Sequence, residues 1–379
     1  MASMVSQAAA ASTKRLRTEE ALPSLFSAIN SCVITCDLAA VKAGCKKIGT
    51  HDGKFHADEA LGVFLLKLLP EWKDAAIVRT RKQEILDACD IVIDVGGTYD
   101  HSALRYDHHQ KGFEETMNEI GYSTKLSAAG LVYRHYGRNV VDRIAEVAGA
   151  QWPQEIAEVV YRKIYSGFME EIDAVDNGIS IADTPLKYRA STGLSHRVGR
   201  LYPAWNEPQT DDIVNERFRE ASLLCGSELT QQIEGLAKAW WPARSMVEAA
   251  MGAASTVDPS GQIMVLESGG LPWLSHVFDV EREAAAGGKP RPELLFTLYT
   301  DTRGKWRVQA VPAAEGSFES RLKLGASEWR GLRDEELSTA CGIPGCIFIH
   351  SAGFIGGHET REGALALAKA TLALASKSQ

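Results

Sequence analysis

The 379-residue sequence lacks any run of about 18 apolar residues, so no segment is long enough to cross a bilayer as a helix. It also lacks a basic excess, because 41 lysines and arginines stand against 49 acidic residues and give a net charge of -8. This balance excludes a basic nucleic-acid coat protein, although a local basic groove is compatible with it. The seven cysteines have no regular spacing and form no zinc motif. We therefore expect reduced thiols and an intracellular protein.

The amino-terminal segment lacks acidic residues before Glu19 and is rich in alanine and serine, with basic residues at Lys14, Arg15 and Arg17. This composition is typical of an organelle transit peptide. The basic stretch also fits a short nuclear signal, and a tail without any address is the third interpretation. We expect residues 1–44 to form a disordered or targeting tail. The expected location is the mitochondrion or the nucleus or both, with the cytoplasm as the alternative.

After the tail, strand and helix patterns alternate. Strands are predicted over residues 46–50, 75–80 and 90–95, and helices over residues 57–69 and 83–88. This order predicts an α/β fold in which a parallel sheet carries helices on both faces. Ligands of such sheets gather at the carboxyl ends of the strands.

The second half of the sequence predicts a smaller α/β domain. Helical patterns cover residues 126–176 and 211–248, and a proline-containing linker lies near residues 184–209. Short strands are predicted near residues 262–267, 294–299 and 306–311, followed by a glycine-rich turn and a final helix. We expect the domain boundary between residues 205 and 206.

The first chemistry-bearing cluster lies between a predicted strand and a predicted helix. It holds His51, Asp52, His56, Asp58 and Glu59 within nine residues. Imidazole and carboxylate groups together suit a transition metal such as manganese, cobalt, iron or zinc. The alternative is a polar loop in which an aspartate caps the helix.

Two further clusters follow the next strands. Asp94 ends an apolar strand, and a buried carboxylate there needs a metal ion, a lysine or a helix N-terminus as partner. Asp107, His108 and His109 are consecutive, and neighbouring side chains of an extended segment point to opposite faces. One or two of them can therefore reach the same metal ion, while another supports a ligand or contacts phosphate. A solvated polar loop is the alternative.

The fourth cluster contains Asp173 and Asp176, just before Gly178 at a predicted helix end, and a solvated acidic face is its simpler explanation. Together the four clusters supply enough histidines and aspartates for two metal ions. Two such ions about 3.5–4 Å apart activate a water molecule and stabilise both oxygens of a phosphoryl displacement.

Longer motifs carry a resemblance to a known family. The motifs are IGTHDGKFHADEA at residues 48–60, DIVIDVGG at 90–97, RYDHHQ at 105–110, GLRDE at 331–335 and GIPGCIFIHSAGFIGG at 342–357. They resemble the melanocyte-proliferating-gene protein family, and the order of the histidines and aspartates resembles the wider Asp-His-His phosphoesterase superfamily. That superfamily includes RecJ-type exonucleases, oligoribonucleases and family II pyrophosphatases. The resemblance covers about residues 46–376.

The resemblance implies a metal-dependent hydrolase, a 3′-to-5′ exonuclease acting on single-stranded RNA in mitochondria and nucleus. It implies two divalent metal ions as cofactors, with Mn²⁺ as the main candidate and Mg²⁺ or Co²⁺ as alternatives. A metal-binding catalytic domain would span residues 45–205 and a substrate-binding domain residues 206–379, with the active site in the cleft between them.

The resemblance also implies roles for single residues. One ion would be bound by His51, His56 and Asp94, and the other by Asp58, Asp94 and Asp176, so that Asp94 bridges them. The catalytic residues would be Asp94, His108 and His109. His108 would be a metal ligand or lie next to one, and His109 would contact the phosphate or support a ligand. The superfamily motif His-x3-Asp-x-Asp is replaced here by His-x4-His-x-Asp, with a histidine in place of the first aspartate.

Substrate-binding candidates lie further along the chain. A basic patch with aromatic residues interleaved could bind a nucleic-acid backbone, or could be solvated linker charge. The substrate-binding candidates are Arg189, His196, Arg197, Arg200, Arg321, Gly356, Gly357 and His358. The last three resemble the superfamily's glycine-rich substrate loop, and a glycine-rich turn is the simpler explanation.

Two other functions remain open from the sequence. The same metal chemistry could hydrolyse a small phosphate such as pyrophosphate or a short nucleotide, or the fold could persist in a catalytically silent RNA-binding protein. The complete set of ligands in all four clusters favours an enzyme.

Overall fold

The computed structural model describes residues 25–150 and 152–377 and separates into two compact units between Lys238 and Ala239. The sequence placed the boundary earlier, between residues 205 and 206. The difference arises because the long helix Asp211–Gly235 packs against the buried helix Ala57–Lys67 of the first unit. A Cβ atom at Gly226 would lie 2.2 Å from the Phe64 ring, so glycine permits this close approach.

The strands of the two units are short. In the first unit they are β1 (Ile34–Thr35), β2 (Lys47–Thr50), β3 (Ala76–Arg79), β4 (Ile91–Ile93), β5 (Tyr99–Asp100) and β6 (Arg105–Tyr106). In the second unit they are β7 (Ile263–Val265), β8 (Phe296–Thr300), β9 (Trp306–Ala310), β10 (Cys346–Ile349) and β11 (Ile355–His358).

The helices account for most of the remaining regular structure. In the first unit they are α1 (Ala57–Lys67), α2 (Gln83–Leu86), α3 (Ala128–Val147), α4 (Gln154–Ile164), α5 (Glu170–Asp176), α6 (Leu194–Gly199) and α7 (Asp211–Gly235). In the second unit they are α8 (Trp241–Gly252), α9 (Ala254–Val257), α10 (Leu274–Ala286), α11 (Asp334–Cys341) and α12 (Arg361–Lys377). Single π-helical turns, Tyr165–Met169 and Leu236–Trp240, lead into α5 and α8. None of the described helices is long and apolar enough to cross a membrane.

The first sheet has the order β1-β3-β2-β4-β6-β5, and only the β5–β6 pair is antiparallel. Helix α1 is buried along its whole length and packs against α3 and α7. The expected α/β fold with a parallel sheet is confirmed. The predicted strands over residues 46–50, 75–80 and 90–95 match β2, β3 and β4 within two residues at each end.

The second sheet has the order β10-β11-β9-β8-β7 and is antiparallel except for β7–β8. Its core combines Phe296 and Val308 with Leu367 of the final helix. Strand β11 corrects the sequence analysis, which expected a glycine-rich turn over these residues. Gly356 and Gly357 instead pair with Val308 and Arg307 inside the sheet, because their missing side chains let neighbouring residues pack across the strand.

The amino-terminal prediction also needs a correction where the structure describes it. Residues 25–30 are helical, with Leu25 and Ile29 buried, and β1 pairs in parallel with β3. Residues 25–44 therefore belong to the first unit and are not a disordered tail. The predicted transit or nuclear signal lies outside the described residues.

Candidate metal centre

Three neighbouring parallel strands carry the first three clusters to one edge of the sheet. His51 directly follows β2, Asp94 follows β4 and Asp107 follows β6. The backbone N–H of Asp94 donates to the carbonyl of Tyr106 at 3.0 Å, which fixes the second cluster beside the third. Asp94 has a φ of 56°, a left-handed conformation that aspartate and asparagine tolerate better than most residues.

Three overlapping groups of potential ligand atoms form around these strand ends, with the atoms of each group within 4.8 Å of one another, and one of them joins Asp94 and His108 to the exposed His109. The first group is His51, His56, Glu59 and Asp94. Within it, His51 Nε2 lies 3.1 Å from Glu59 Oε1 and 3.3 Å from Asp94 Oδ2. Glu59 was not assigned as a ligand from the sequence, yet its side chain is fully buried here.

The second group is Asp58, His108 and Asp176. His108 Nε2 lies 3.0 Å from Asp176 Oδ2 and 4.0 Å from Asp58 Oδ2. It also lies 3.5 Å from Asp94 Oδ1, which links the second group to the first. Asp176 is the last residue of α5, so the fourth cluster places a potential ligand atom beside His108.

The chemistry of these atoms fits metal binding. Neither Asp94 Oδ1 nor His108 Nε2 makes a hydrogen bond within the described part of the chain, although both are buried. Buried polar atoms of this kind normally have a partner. Imidazole and carboxylate ligands suit a divalent transition metal. The residues therefore fit a divalent metal centre that includes Asp94.

The second nitrogen of each buried histidine is engaged by the protein. His51 Nδ1 lies 2.9 Å from the carbonyl of Asp52, so this nitrogen donates and Nε2 is left for a metal. His108 Nδ1 lies 3.3 Å from Asn177 Oδ1. The Asn177 amide donates to the carbonyls of Lys125 and Asp173 at 3.0 and 2.9 Å, which orients its oxygen toward His108. Such contacts select the tautomer that a metal requires.

We expect Asn177→Leu to weaken Mn²⁺ binding by about 10- to 100-fold, because His108 loses the acceptor that orients it. Asn177→Asp keeps an acceptor and should retain more of the affinity. Titration calorimetry with Mn²⁺ measures both variants, and Asn118→Ala at an exposed asparagine serves as control. Equal affinity in wild type and Asn177→Leu would remove this role.

Asp58 is held by the amino terminus of α3. The backbone N–H of Ala128 donates to Asp58 Oδ2 at 3.1 Å, Ala129 N–H donates to Oδ1, and the Ser127 hydroxyl donates to Oδ1 at 2.7 Å. A helix amino terminus favours a carboxylate. Burial, followed by the charge of Asp94, nevertheless raises the pKa of Asp58 well above its ordinary value. An ion at this position would remove that cost.

Asp173 supports the same helix start without belonging to a ligand group. It accepts a hydrogen bond from Ser127 N–H at 3.0 Å and from the Tyr165 hydroxyl at 3.0 Å. A Cβ atom at Gly130 would lie 2.2 Å from Asp173 Oδ1, so glycine is needed there. Burial raises the pKa of Asp173 to about 7.

Opposite charges dominate the electrostatics of the site. Burial by itself lowers the pKa of His51, but hydrogen bonds with Asp94 and Glu59 outweigh it and raise the pKa to about 10. Burial likewise lowers the pKa of His108, and the close carboxylates of Asp176 and Asp94 reverse the effect and raise it. Burial raises the pKa of Asp94, yet close contacts with both histidines hold it below its usual value.

His109 differs from the two buried histidines because its side chain is 64% exposed. Its Nδ1 lies 2.8 Å from Asp107 Oδ1, and Asp107 Oδ2 accepts from Gly97 N–H at 2.5 Å. The hydrogen bond with Asp107 outweighs burial and raises the pKa of His109. Asp107 therefore orients His109 and favours its protonated form, a role that the sequence analysis did not assign.

A cavity of about 750 Å³ opens onto the ligand groups. The described residues that line it are His51, Lys54, His56, Ala57, Asp58, Arg81, Asp94, Val95, Gly96, Asp107, His109, Ile172, Val175, Asp176, Ser195, His196 and Gly199. All of them belong to the first unit.

The predicted basic patch divides in the structure. His196 lines the cavity, whereas Arg189, Arg197 and Arg200 are not among its described lining residues. Arg197 forms an ion pair with Glu228 at 2.8 Å. Arg200 donates to the carbonyl of Ser191 at 3.1 Å, and Arg189 is exposed. Helix α6 also interrupts the stretch that the sequence analysis treated as a linker.

The remaining substrate candidates lie in the second unit. Arg321 is nearly buried and forms an ion pair with Glu281 at 2.8 Å. His358 is buried, with Nε2 3.0 Å from the carbonyl of Pro344, and its Nδ1 accepts a hydrogen bond from Thr360 N–H at 3.0 Å. Both polar groups thus have partners within their own unit.

Comparison with known proteins assigns the family. The sequence model of the family MYG1_exonuc, described as "Uncharacterised protein family (UPF0160)", matches residues 47–372. The chain belongs to the MYG1 family. The match includes every ligand residue of the centre described above.

Relatives within the MYG1 family are similar over most of their length. The chain is 48% identical over 332 residues to "MYG1 exonuclease" of Homo sapiens, covering 86% of each protein. It is 47% identical over 330 residues to "MYG1 protein C27H6.8" of Caenorhabditis elegans, covering 86% of this chain and 94% of the relative. The structure of RecJ with Mn²⁺ from Thermus thermophilus matches with a TM-score of 0.23 and 17% identity, over 95% of this chain and 55% of that one.

Several residues of this MYG1-family site were missed from the sequence. Glu59 and Asn177 each follow a residue that was predicted to be a metal ligand, Asp58 and Asp176. This proximity was the only sequence signal that pointed to them. Lys54 lies inside the first motif and Arg81 follows β3, and both line the cavity. Their contribution depends on which loops meet, and this information is absent from local sequence patterns.

Proposed function

We propose that this chain is a metal-dependent exonuclease that shortens single-stranded RNA from its 3′ end. The observation that carries the proposal is the pair of ligand groups joined through Asp94 at a cavity of about 750 Å³. A relative 48% identical to the chain is named "MYG1 exonuclease", which supports a nuclease over other hydrolases.

The ligand groups indicate which residues would hold two divalent ions, of which Mn²⁺ is the preferred candidate. His51, His56, Glu59 and Asp94 would bind one ion, and Asp58, His108, Asp176 and Asp94 the other. When bound, such ions supply positive charge at the phosphate and lower the pKa of the attacking water. The protein contributes ligands that are mostly buried and partly pre-oriented, since Asp52 and Asn177 contact the imidazoles of His51 and His108.

His109 supplies a hydrogen-bond donor for the phosphate. It lines the cavity, and its contact with Asp107 favours the protonated ring. A proton on an exposed imidazole next to the ligand groups stabilises negative charge that develops on phosphate oxygens. His196, the member of the predicted basic patch that lines the cavity, is a second candidate contact.

A small phosphate is the competing substrate. A cavity of about 750 Å³ is also of the size that holds a small ligand, so pyrophosphate or a short nucleotide would fit it. The two substrates call for the same metal chemistry and differ in the length of chain that the enzyme accepts.

The test is hydrolysis of 5′-labelled RNA by the full chain with Mn²⁺. We expect a ladder of products that shortens from the 3′ end. In chelator the reaction should be about a thousandfold slower or more, because bound metal ions stabilise the transition state by several kcal/mol and about 1.4 kcal/mol corresponds to a tenfold change in rate. Single-stranded DNA of the same sequence and pyrophosphate are assayed in parallel. Cleavage of pyrophosphate without cleavage of any oligomer would replace this proposal with the small-phosphate function.

A further inference from the structure

Two cationic side chains at the cavity lie outside the predicted basic patch. Lys54 and Arg81 are the lysine and arginine among its described lining residues. The same lining contains four aspartates, Asp58, Asp94, Asp107 and Asp176. Two bound ions would offset most of the aspartate charge at one point of the cavity. The charge of a neighbouring phosphate still needs cations that are not metal ligands.

Lys54 lies in the loop between β2 and α1, Arg81 lies in the loop after β3, and the two loops contact each other. Arg81 Nε lies 3.3 Å from Asp52 Oδ1, two residues before Lys54. Arg79 supports the loop between β2 and α1, because its guanidinium donates to the carbonyl of Gly53 at 2.7 Å. Arg79 is itself buried, so the loop that carries Lys54 rests on a fixed support.

These two cations are also available to a ligand, unlike Arg197 and Arg321. Arg81 is 63% exposed, and its ion pair with Asp52 involves Nε, so its two terminal nitrogens have no partner in the described residues. The Lys54 ammonium has no hydrogen bond or ion pair within the same part of the chain. Arg197 and Arg321, in contrast, are paired with glutamates.

From this arrangement we infer that Lys54 and Arg81 bind a phosphate of the nucleic-acid strand next to the scissile one. The inference rests on the proposed function and specifies its substrate contacts. Arg81 presents a planar fork that matches two phosphate oxygens, and Lys54 adds a point charge. Both residues act in substrate binding and neither is a metal ligand.

The experiment compares the Mn²⁺-loaded full chain with Lys54→Gln, Arg81→Gln and the double variant. Arg303→Gln is the matched control, because Arg303 is an exposed cation that does not line the cavity. Four quantities are measured: KM and kcat on short RNA, the Kd for inorganic phosphate, and the Kd for Mn²⁺. Hydrolysis is repeated over a range of salt concentrations.

We expect each single variant to raise KM and the phosphate Kd about five- to tenfold, with kcat within about threefold of wild type. Removing one phosphate contact should also reduce the salt slope of binding to a single strand by about 0.7. The Mn²⁺ affinity of the variants and all constants of the Arg303→Gln control should stay within about twofold of wild type.

The outcomes separate this inference from the proposed function. RNA cleavage with an unchanged KM in both single variants overturns the inference and leaves the exonuclease intact. A weaker phosphate Kd in the variants, with no cleavage of nucleic acid by wild type, supports the cation pair and overturns the exonuclease. A parallel loss of Mn²⁺ affinity also overturns the inference, because it would place these residues in the metal centre. Absence of both phosphate binding and cleavage in wild type overturns both.

Discussion

Asp94→Asn is expected to remove Mn²⁺ binding and to reduce nuclease activity by about a thousandfold or more while the fold persists. Asp94 contacts His51 at 3.3 Å and His108 at 3.5 Å and connects the two ligand groups. Loss of its charge therefore affects both ions, and about 4 kcal/mol of lost transition-state stabilisation corresponds to roughly a thousandfold in rate. The fold should survive because asparagine has the same size and tolerates the φ of 56° at this position.

Three measurements check this prediction: metal content after dialysis, activity on RNA, and the thermal unfolding of the metal-free protein. Asp142→Asn, at an exposed aspartate of α3, is the matched control and should behave as wild type. Two bound ions and near-full activity in Asp94→Asn would contradict the assignment of Asp94 as the shared ligand.

The second prediction with a large expected effect is that metal binding releases protons. Contacts with Asp94 and Glu59 raise the pKa of His51 to about 10 in the metal-free protein, and the pKa of His108 is raised as well. Both imidazoles are therefore protonated at pH 7, whereas a metal ligand must be neutral. Binding of two ions should release about two protons, and the apparent Mn²⁺ affinity should rise steeply with pH.

The same pKa shifts predict opposite changes in stability with rising pH for the metal-free and the metal-loaded protein. A raised histidine pKa stabilises the metal-free fold fully below about pH 6.5, and this contribution is lost as the pH rises toward 10. The metal-loaded form should gain stability over that same range because metal binding tightens. Calorimetry in buffers with different ionisation enthalpies counts the protons, and thermal unfolding from pH 6 to 9 follows both trends. Metal binding without proton release would show that the histidines are neutral before the ion arrives.

Much of the first sheet could be predicted from the sequence because its signals are local. Apolar runs bounded by turns marked β2, β3 and β4, and the polar residues that follow β2 and β4 are ligand candidates on that ground alone. The prediction failed where pairing is long-range. Strand β1 has two residues, Ile34 and Thr35, and is a strand only because Ile77 and Val78 lie beside it.

The glycines near the carboxyl terminus show the same limit. A run with Gly356 and Gly357 has low strand propensity and was expected to turn. In the structure the run is an inner strand, since a missing Cβ there makes room for Leu324 and for Arg307 and Phe348. Packing from distant segments outweighed the local preference.

The family, the α/β class and most of the candidate metal ligands could be predicted from the sequence, because these depend on residue types in a fixed order along the chain. Tertiary packing was needed to bring Glu59 into the first group of potential ligands, to place Asn177 beside His108, and to bring Lys54 and Arg81 to the cavity. These groupings depend on short distances. Imidazoles, carboxylates and cations interact over a few ångströms, and residues as far apart as His108 and Asn177 reach that range only after the strands and helices have packed.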